Sequence, residues 1–438
     1  MENNVVLNLL GNKKFCMAPW THMHFMPNKD VNLCCMSPID KVVGNMNTQT
    51  IHEVWNSDTM KSVRKKMLNG EDCSEFCHRC YEKEEQGYGS LRQHMNMTYG
   101  KNHIELVKNT KEDGTVDDLN LVHWDFRFSN ICNQSCRTCG IEFSTQWHGD
   151  HQKLYDVAKE DMPPKYKKIW ANVDKFEQDF TGLFDKVEYI HFAGGEPLIT
   201  DEHYKILQKL IDAGKTDVTI RYSTNFGELR YKDHYAIDYW KHFKNIQLIA
   251  SLDDMGDRYN YIRRGGDWNQ VVDNFKQLRD QGLFKNGNIV WGIHPTISIF
   301  NIYYLPEFHR ECINLGMVDS WTLQKRPDND PNWFEPVEEH WTSVFHLNYL
   351  MFPHYYNANV LPKHMKEKVA DKINRYADEL EQKYKMNTTF LRNLIDSMNG
   401  EDKSEHIHEF VEITKKLDKI RGEDVVKTFP FLGELFND

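Results

Sequence analysis

Between residues 119 and 325 strand-like and helix-like stretches take turns, and this alternation narrows the fold more than any other feature of the chain. Runs rich in β-branched and aromatic residues fall at 121–128, 187–192, 218–223, 246–252, 289–299 and 320–324. Stretches with helical periodicity, such as 202–213 and 268–281, lie between them. Repeated β–α units imply a parallel sheet with crossover helices, and ligands of such sheets bind at the carboxyl ends of the strands. The motifs that carry chemistry fall there.

The first is the loop that follows the strand-like run 121–128. Cys132, Cys136 and Cys139 sit there at the spacing C-x3-C-x2-C, and residues 143–157 read as a helix behind them. An iron–sulfur cubane held by three thiolates keeps one iron open for an outside molecule, whereas structural zinc closes a tetrahedron with four ligands. His123 and His148 lie outside the loop, so the spacing favours iron–sulfur and leaves zinc as the alternative. The same spacing recurs at Cys73, Cys77 and Cys80, but residues 58–68 before it read as a short basic helix stopped at Asn69-Gly70. No strand feeds this second loop.

The second motif is Ala193-Gly194-Gly195-Glu196-Pro197, directly after the strand-like run 187–192. Paired glycines let the backbone approach a ligand closely, because no Cβ intervenes. The cluster motif followed by Gly-Gly-Glu-Pro at a strand end resembles the radical S-adenosylmethionine (radical SAM) enzymes. The resemblance implies an α/β fold with a partial (β/α)6 TIM-like barrel over 119–325, which the sequence alone does not distinguish from an open sheet. It also implies a [4Fe–4S] cluster on Cys132, Cys136 and Cys139, with the open iron holding S-adenosylmethionine (AdoMet). Reductive cleavage to a 5′-deoxyadenosyl radical and abstraction of a substrate hydrogen would follow. Further AdoMet contacts implied by position are Gly194, Gly195, Glu196, Pro197, Ser223, Asn225, Ser251, Asp253 and Arg263, all at or soon after strand ends.

Six of the ten cysteines lie in residues 1–90: Cys16, Cys34, Cys35, Cys73, Cys77 and Cys80. A turn at Pro27-Asn28-Lys29-Asp30 predicts a hairpin that returns Cys34 toward Cys16. This order resembles the SPASM/twitch module, which binds an auxiliary [4Fe–4S] cluster and usually follows the barrel rather than preceding it. The resemblance implies ligands Cys16, Cys34, Cys77 and Cys80, with Cys35 the alternative to Cys34 and Cys73 an unligated neighbour. A zinc knuckle on the same thiols is the plainer alternative. Residues 91–118 read as a connector with a helix near 90–97. After the Pro/Asn/Asp-rich stretch 326–331, residues 326–438 read as a helical extension, with helices near 336–352, 365–385, 390–398 and 403–421.

Other residues have plainer readings. Asp125 and Arg127 share one face of the first strand and suit an ion pair, or a substrate or cofactor contact. His191 reads as a packed histidine and Cys312 as a small buried hydrophobe. A formal charge of −11, spread along the chain, offers no basic footprint for nucleic acid. No apolar run approaches a bilayer span, and no signal-peptide pattern opens the chain, so the expected compartment is the cytoplasm, where thiols stay reduced. Expected partners are a peptide or small-molecule substrate and an electron donor such as flavodoxin or ferredoxin. The alternatives are a radical SAM dehydrogenase of a small metabolite and a zinc-binding interaction protein without catalysis.

Overall fold

The computed structural model describes residue 9 and residues 11–85, 89–284, 288–318, 343–384 and 386–437. Its centre is a nine-stranded sheet. In chain order the strands are β1 (His22–Phe25), β2 (Asp30–Asn32), β3 (Val42–Asn45), β4 (His123–Arg127), β5 (Tyr189–Ala193), β6 (Thr219–Thr224), β7 (Asn245–Ala250), β8 (Ile289–Ile293) and β9 (Ser343–Phe345). Their order in the sheet is β9-β8-β7-β6-β5-β4-β1-β2-β3. From β4 to β9 every neighbouring pair is parallel, as β–α units require. These parallel strands and the helices between them make an α/β sheet that fits the partial barrel expected from the sequence.

The cysteine-rich segment joins this sheet. β1 pairs in parallel with β4, setting His22 opposite His123 and His24 opposite Asp125, and the hairpin β1–β2 and β3 extend the edge. The helix Leu91–Lys108 runs well beyond the short helix expected near 90–97, because Ser90 and Gln93 form a capping box and Gly100 is buried within it rather than breaking it. It is tied to the segment before β1, where Asn96 accepts from the Met17 amide at 2.8 Å and donates to the Phe15 carbonyl at 3.0 Å.

The strand expected at 320–324 lies outside the described residues. The strand that completes the parallel set is β9, inside the stretch 336–352 that reads as a helix. Apolar residues spaced by four satisfy a helical stripe, but Phe345, Leu347 and Tyr349 also alternate with period two, and pairing with β8 decides between the readings. The helices Lys363–Tyr384, Thr389–Asn399 and Ile407–Arg421 follow. No helix among the described residues is long and apolar enough to cross a membrane.

The two faces of the sheet differ in chemistry. On the outer face Trp124, Phe126 and Phe128 pack against Trp170, Phe176 and Phe180. The alternate positions, facing the barrel lumen, are polar: His22 and His24, Asp125 and Arg127, His191, Arg221 and Ser223, and Gln247. Tyr189 on β5 reaches Gln247 on β7, two strands away, at 3.4 Å, as a curved sheet allows.

Candidate active site

The loop carrying Cys132, Cys136 and Cys139 is clamped from three sides. Asn130 donates to the carbonyls of Ile141 (3.1 Å) and Lys165 (2.9 Å), and the Glu196 amide donates to the Ile131 carbonyl at 2.7 Å. Ser135–Cys136 forms a short antiparallel ladder with Arg263–Arg264. The Trp147 indole N–H donates to the Cys136 carbonyl at 2.7 Å. Burial first, and then the neighbouring Cys136, pushes the Cys139 thiol up to about 12 and raises Cys132 as well. Thiols crowded in this way ionise together only if a cationic group neutralises them, so the donor set suits a metal cluster.

The paired glycines serve the loop directly. A Cβ on Gly195 would stand 2.1 Å from the Ile131 carbonyl oxygen, and Gly194, at φ +108°, would meet the Arg127 backbone at 3.0 Å. The close approach is therefore to the cluster loop's own backbone, where the sequence suggested a ligand. Glu196 also points inward: its buried carboxylate accepts from the Leu198 amide (3.1 Å), the Thr224 hydroxyl (2.7 Å) and the Asn225 amide (2.7 Å), tying the end of β5 to the end of β6. Burial pushes its pKa up to about 7 despite these donors. Pro197 opens the turn that follows.

Asn225 reaches the cluster loop, donating to Asn133 at 2.7 Å. Ser251 is anchored beside it, its amide donating to the Thr224 carbonyl at 2.8 Å. Asp253 and Arg263 are buried and paired at 2.8 Å, and an Arg263 Nη1 lies 3.7 Å from the Cys136 sulfur. These residues gather around the three thiols. Ser223 faces deeper into the lumen.

There Asp125 is a hub. It pairs with Arg127, with His24 Nδ1 at 2.9 Å and with His191 Nδ1 at 3.2 Å, while His191 Nε2 lies 3.0 Å from the Ser223 hydroxyl. Burial alone would raise the Asp125 carboxyl, but Arg127, His24 and His191 hold it well below its ordinary value. Burial lowers His191 to about 4 against the pull of Asp125, which leaves the ring neutral near pH 7. The contacts assign the proton to Nδ1, donating to Asp125, and leave Nε2 to accept from Ser223.

The cysteine-rich segment has its own thiol site. Cys16, Cys34, Cys77 and Cys80 ring one small cavity together with Arg92, and neither Cys35 nor Cys73 lines it. Cys77 and Cys80 lie on the helix Ser74–Glu85, where the sequence suggested a loop; residues three apart share a helix face. No three His, Cys, Asp or Glu side chains converge on a point suited to a single metal ion among the described residues; the four thiols instead stand around a space. Arg92 is held by Glu84 (2.6 Å) and donates to the Phe15 carbonyl (2.8 Å). Cys35 turns the other way. It is solvent-accessible yet surrounded by protein, and crowding first, then Asp125, pushes its thiol up to about 12, so it opens on the lumen.

A family described as the Radical SAM superfamily matches residues 126–302, and one described as an iron–sulfur cluster-binding domain, SPASM, matches residues 16–81. Those two stretches of the chain match the radical SAM superfamily and the SPASM domain respectively. The chain's cofactors are a [4Fe–4S] cluster and AdoMet, with auxiliary iron–sulfur binding in the amino-terminal SPASM module. Among solved structures it is similar to anSMEcpe with bound AdoMet and Cp18Cys peptide, at 12% identity and a TM-score of 0.37, over 60% of this chain and 62% of that one. It is also similar to Streptococcus suis SuiB bound to S-adenosylmethionine, at 14% identity and a TM-score of 0.31, over 61% and 53%. The chain thus spans less than two thirds of the length of these proteins. No curated protein matches it.

Within the radical SAM barrel, the polar lumen is what the sequence reading missed. His22, His24, Arg221, His294 and His346 were not singled out, and His191, read as packed, is a hydrogen-bonded lumen residue. The signal was present: a strand covered on both faces reads as continuously apolar, yet β1, β4, β5 and β6 carry polar residues at every second position. Asp125 and Arg127 do form the expected ion pair, and Cys312 is buried in the helix Leu305–Asn314.

Proposed function

We propose that this chain is a radical SAM enzyme that acts on a substrate held in the polar lumen. The observation that carries the reading is the placement of Cys132, Cys136 and Cys139 in one loop clamped between Gly-Gly-Glu-Pro and Arg263, at the carboxyl ends of strands whose inner faces are polar. Bound there, a [4Fe–4S] cluster on Cys132, Cys136 and Cys139 together with AdoMet would supply the radical chemistry for removing a substrate hydrogen atom. The protein's part is to hold, orient and exclude water. Arg263, fixed by Asp253, offers its guanidinium to the methionine carboxylate. Asn225 and Ser251 would shape the rest of the cofactor cradle, Gly194, Gly195, Glu196 and Pro197 would hold the cluster loop that borders it, and Ser223 would lie deeper in the lumen. Cys16, Cys34, Cys77 and Cys80 hold the auxiliary cluster. The electron donor is a flavodoxin or ferredoxin, and the compartment is the cytoplasm.

A peptide side chain is the substrate class the SPASM module favours. Oxidation of a small polar metabolite is favoured instead by the lumen's histidine, arginine and carboxylate lining. Anaerobically reconstituted protein should be brown, and with dithionite and AdoMet it should release 5′-deoxyadenosine. Colourless protein holding only zinc would refute the enzyme reading. To separate the substrate classes, a lysate of cells grown in deuterated medium is divided into peptide and small-molecule fractions. Deuterium in 5′-deoxyadenosine from the peptide fraction supports peptide modification, and from the small-molecule fraction alone it supports metabolite oxidation.

A further inference from the structure

The strand that carries Arg263 is held to the cluster loop by very little backbone. Its ladder has two pairs, Arg263 opposite Cys136 and Arg264 opposite Ser135, and one further bond runs from the Arg137 amide to the Ile262 carbonyl at 2.7 Å. So short a ladder specifies its register weakly, and a slip of one residue turns every side chain to the other face. The slip matters here because two arginines are adjacent. Neighbours in a strand point to opposite faces, so a slip would withdraw Arg263 from Asp253, 2.8 Å away, and set Arg264 in its place.

Side chains from the far end of the chain secure the register. Arg137, next to Cys136 and fully buried, pairs with Asp418 and, at 2.6 Å, with Glu423. Its guanidinium lies 3.7 Å from the centre of the Tyr261 ring, and the Tyr261 hydroxyl donates to Asp418 at 2.8 Å. Arg137, Tyr261 and Asp418 thus close a circuit that joins the two sides of the ladder, just beyond Cys136 and just before Arg263. The other oxygen of Asp418 accepts from the Val425 amide at 2.8 Å, and Leu417 packs with Trp147, so the circuit is anchored in the segment 417–425. Glu423 also lies 3.9 Å from Arg264, which is 3.8 Å from Asp150 as well. These two carboxylates hold Arg264 on the face opposite to Arg263. Residues 417–425 fall outside both stretches that match a family.

We propose that Asp418 and Glu423 are positioning residues of the radical site: acting through Arg137, Tyr261 and Arg264, they fix the register in which Arg263, and not Arg264, faces the methionine carboxylate of AdoMet. The inference rests on the reading of Arg263 as that contact and of Cys132, Cys136 and Cys139 as cluster ligands. Its test is a double-mutant cycle on the full chain, reconstituted anaerobically, with the AdoMet dissociation constant read from the change in the EPR signal of the reduced cluster. Arg263→Gln should weaken AdoMet binding about a hundredfold. Asp418→Asn should weaken it about tenfold in the unaltered chain, with iron and sulfide kept, and no further in the Arg263→Gln chain. Glu423→Gln should repeat that pattern at about threefold. A support that does not act on Arg263 would give no weakening, or the same weakening in both backgrounds, and either result overturns the proposal. If Arg263→Gln loses its iron, Arg263→Lys takes its place in the cycle. If Asp418→Asn loses iron, the cycle on Glu423→Gln decides; loss from both overturns the proposal, because the segment then only holds the loop together. Unchanged affinity on substituting Arg263, or an unaltered chain whose EPR signal ignores AdoMet, would instead overturn the site reading on which the proposal rests.

Discussion

At residues 132–139 the cysteine triplet occupies a loop beyond the end of β4, whereas at residues 73–80 the same C-x3-C-x2-C spacing runs into the helix Ser74–Glu85. The backbone beneath each triplet decides what the spacing means. In the loop, three thiols are presented together, and the surrounding clamps of Asn130, Gly195 and the Arg263–Arg264 ladder hold backbone rather than sulfur. On the helix, only Cys77 and Cys80 face the cavity, and Cys16 and Cys34 come from segments remote in sequence to complete a ring of four. The first arrangement suits a cluster with a free iron, and the second one whose coordination is filled.

The strongest way to break this contrast is to remove one thiol from each site. Cys132→Ala should abolish formation of 5′-deoxyadenosine from AdoMet and dithionite, by at least ~100-fold, while iron and sulfide fall by one cluster's share. Cys77→Ala should lose a comparable share of iron but keep substrate-free AdoMet cleavage within about threefold, since the auxiliary cavity is separate from the cradle. If Cys77→Ala abolishes cleavage as completely as Cys132→Ala, the two sites are not the independent units drawn here.

A second contrast concerns the carboxylates beside the two sites. Glu84, near the auxiliary thiols, is paired with Arg92, whereas Glu196, beside the radical loop, is buried with neutral donors only and is pushed up to about 7. A raised folded-state pKa means that the folded protein holds a proton which the unfolded chain releases at lower pH. The associated stability is complete below about 4.5 and is lost as pH rises through about 7. Denaturation of the holoprotein under anaerobic conditions should therefore show a decline of the order of 3 kcal/mol between pH 5 and 8 from this group. Glu196→Gln should flatten that decline, and an unchanged slope would show that Glu196 is already ionised in the fold.

Much of the α/β organisation was legible, because β-branched runs alternate with amphipathic ones and the cluster loop follows the first of them directly. The places of the cysteine triplet and of the Gly-Gly-Glu-Pro stretch at strand ends were legible for the same reason, since each is contiguous and directly follows a strand-like run. What sequence could not give was anything fixed by long-range pairing. The union of β1 with β4 depends on register between segments about 100 residues apart. β9 was hidden by a spacing of four that serves a helix and a strand alike. The bond from Arg137 to Asp418 and Glu423 joins the cluster loop to the end of the chain, and no local pattern marks it. The Asp125, His24 and His191 cluster was half visible as alternation, but which residues touch was set only when three strands came side by side.

The mildest test concerns the two cysteines that lie next to the auxiliary site without lining it. Cys73 precedes the helix that carries Cys77 and Cys80; its carbonyl accepts from the Phe76 and Cys77 amides, and its buried side chain packs in the apolar core. Cys73→Ala should leave these backbone bonds intact, keep the iron content, and cost about 1 kcal/mol through lost packing, read as a shift in denaturation midpoint. Cys35→Ala should also keep the iron, because its thiol opens on the lumen beside Asp125 and Arg127 rather than on the cavity. Loss of the second cluster from Cys35→Ala with retention in Cys34→Ala would mean that the hairpin turns its paired cysteines the other way when loaded. The helix would then still supply two ligands, but the auxiliary site would reach into the lumen where the substrate is proposed to lie.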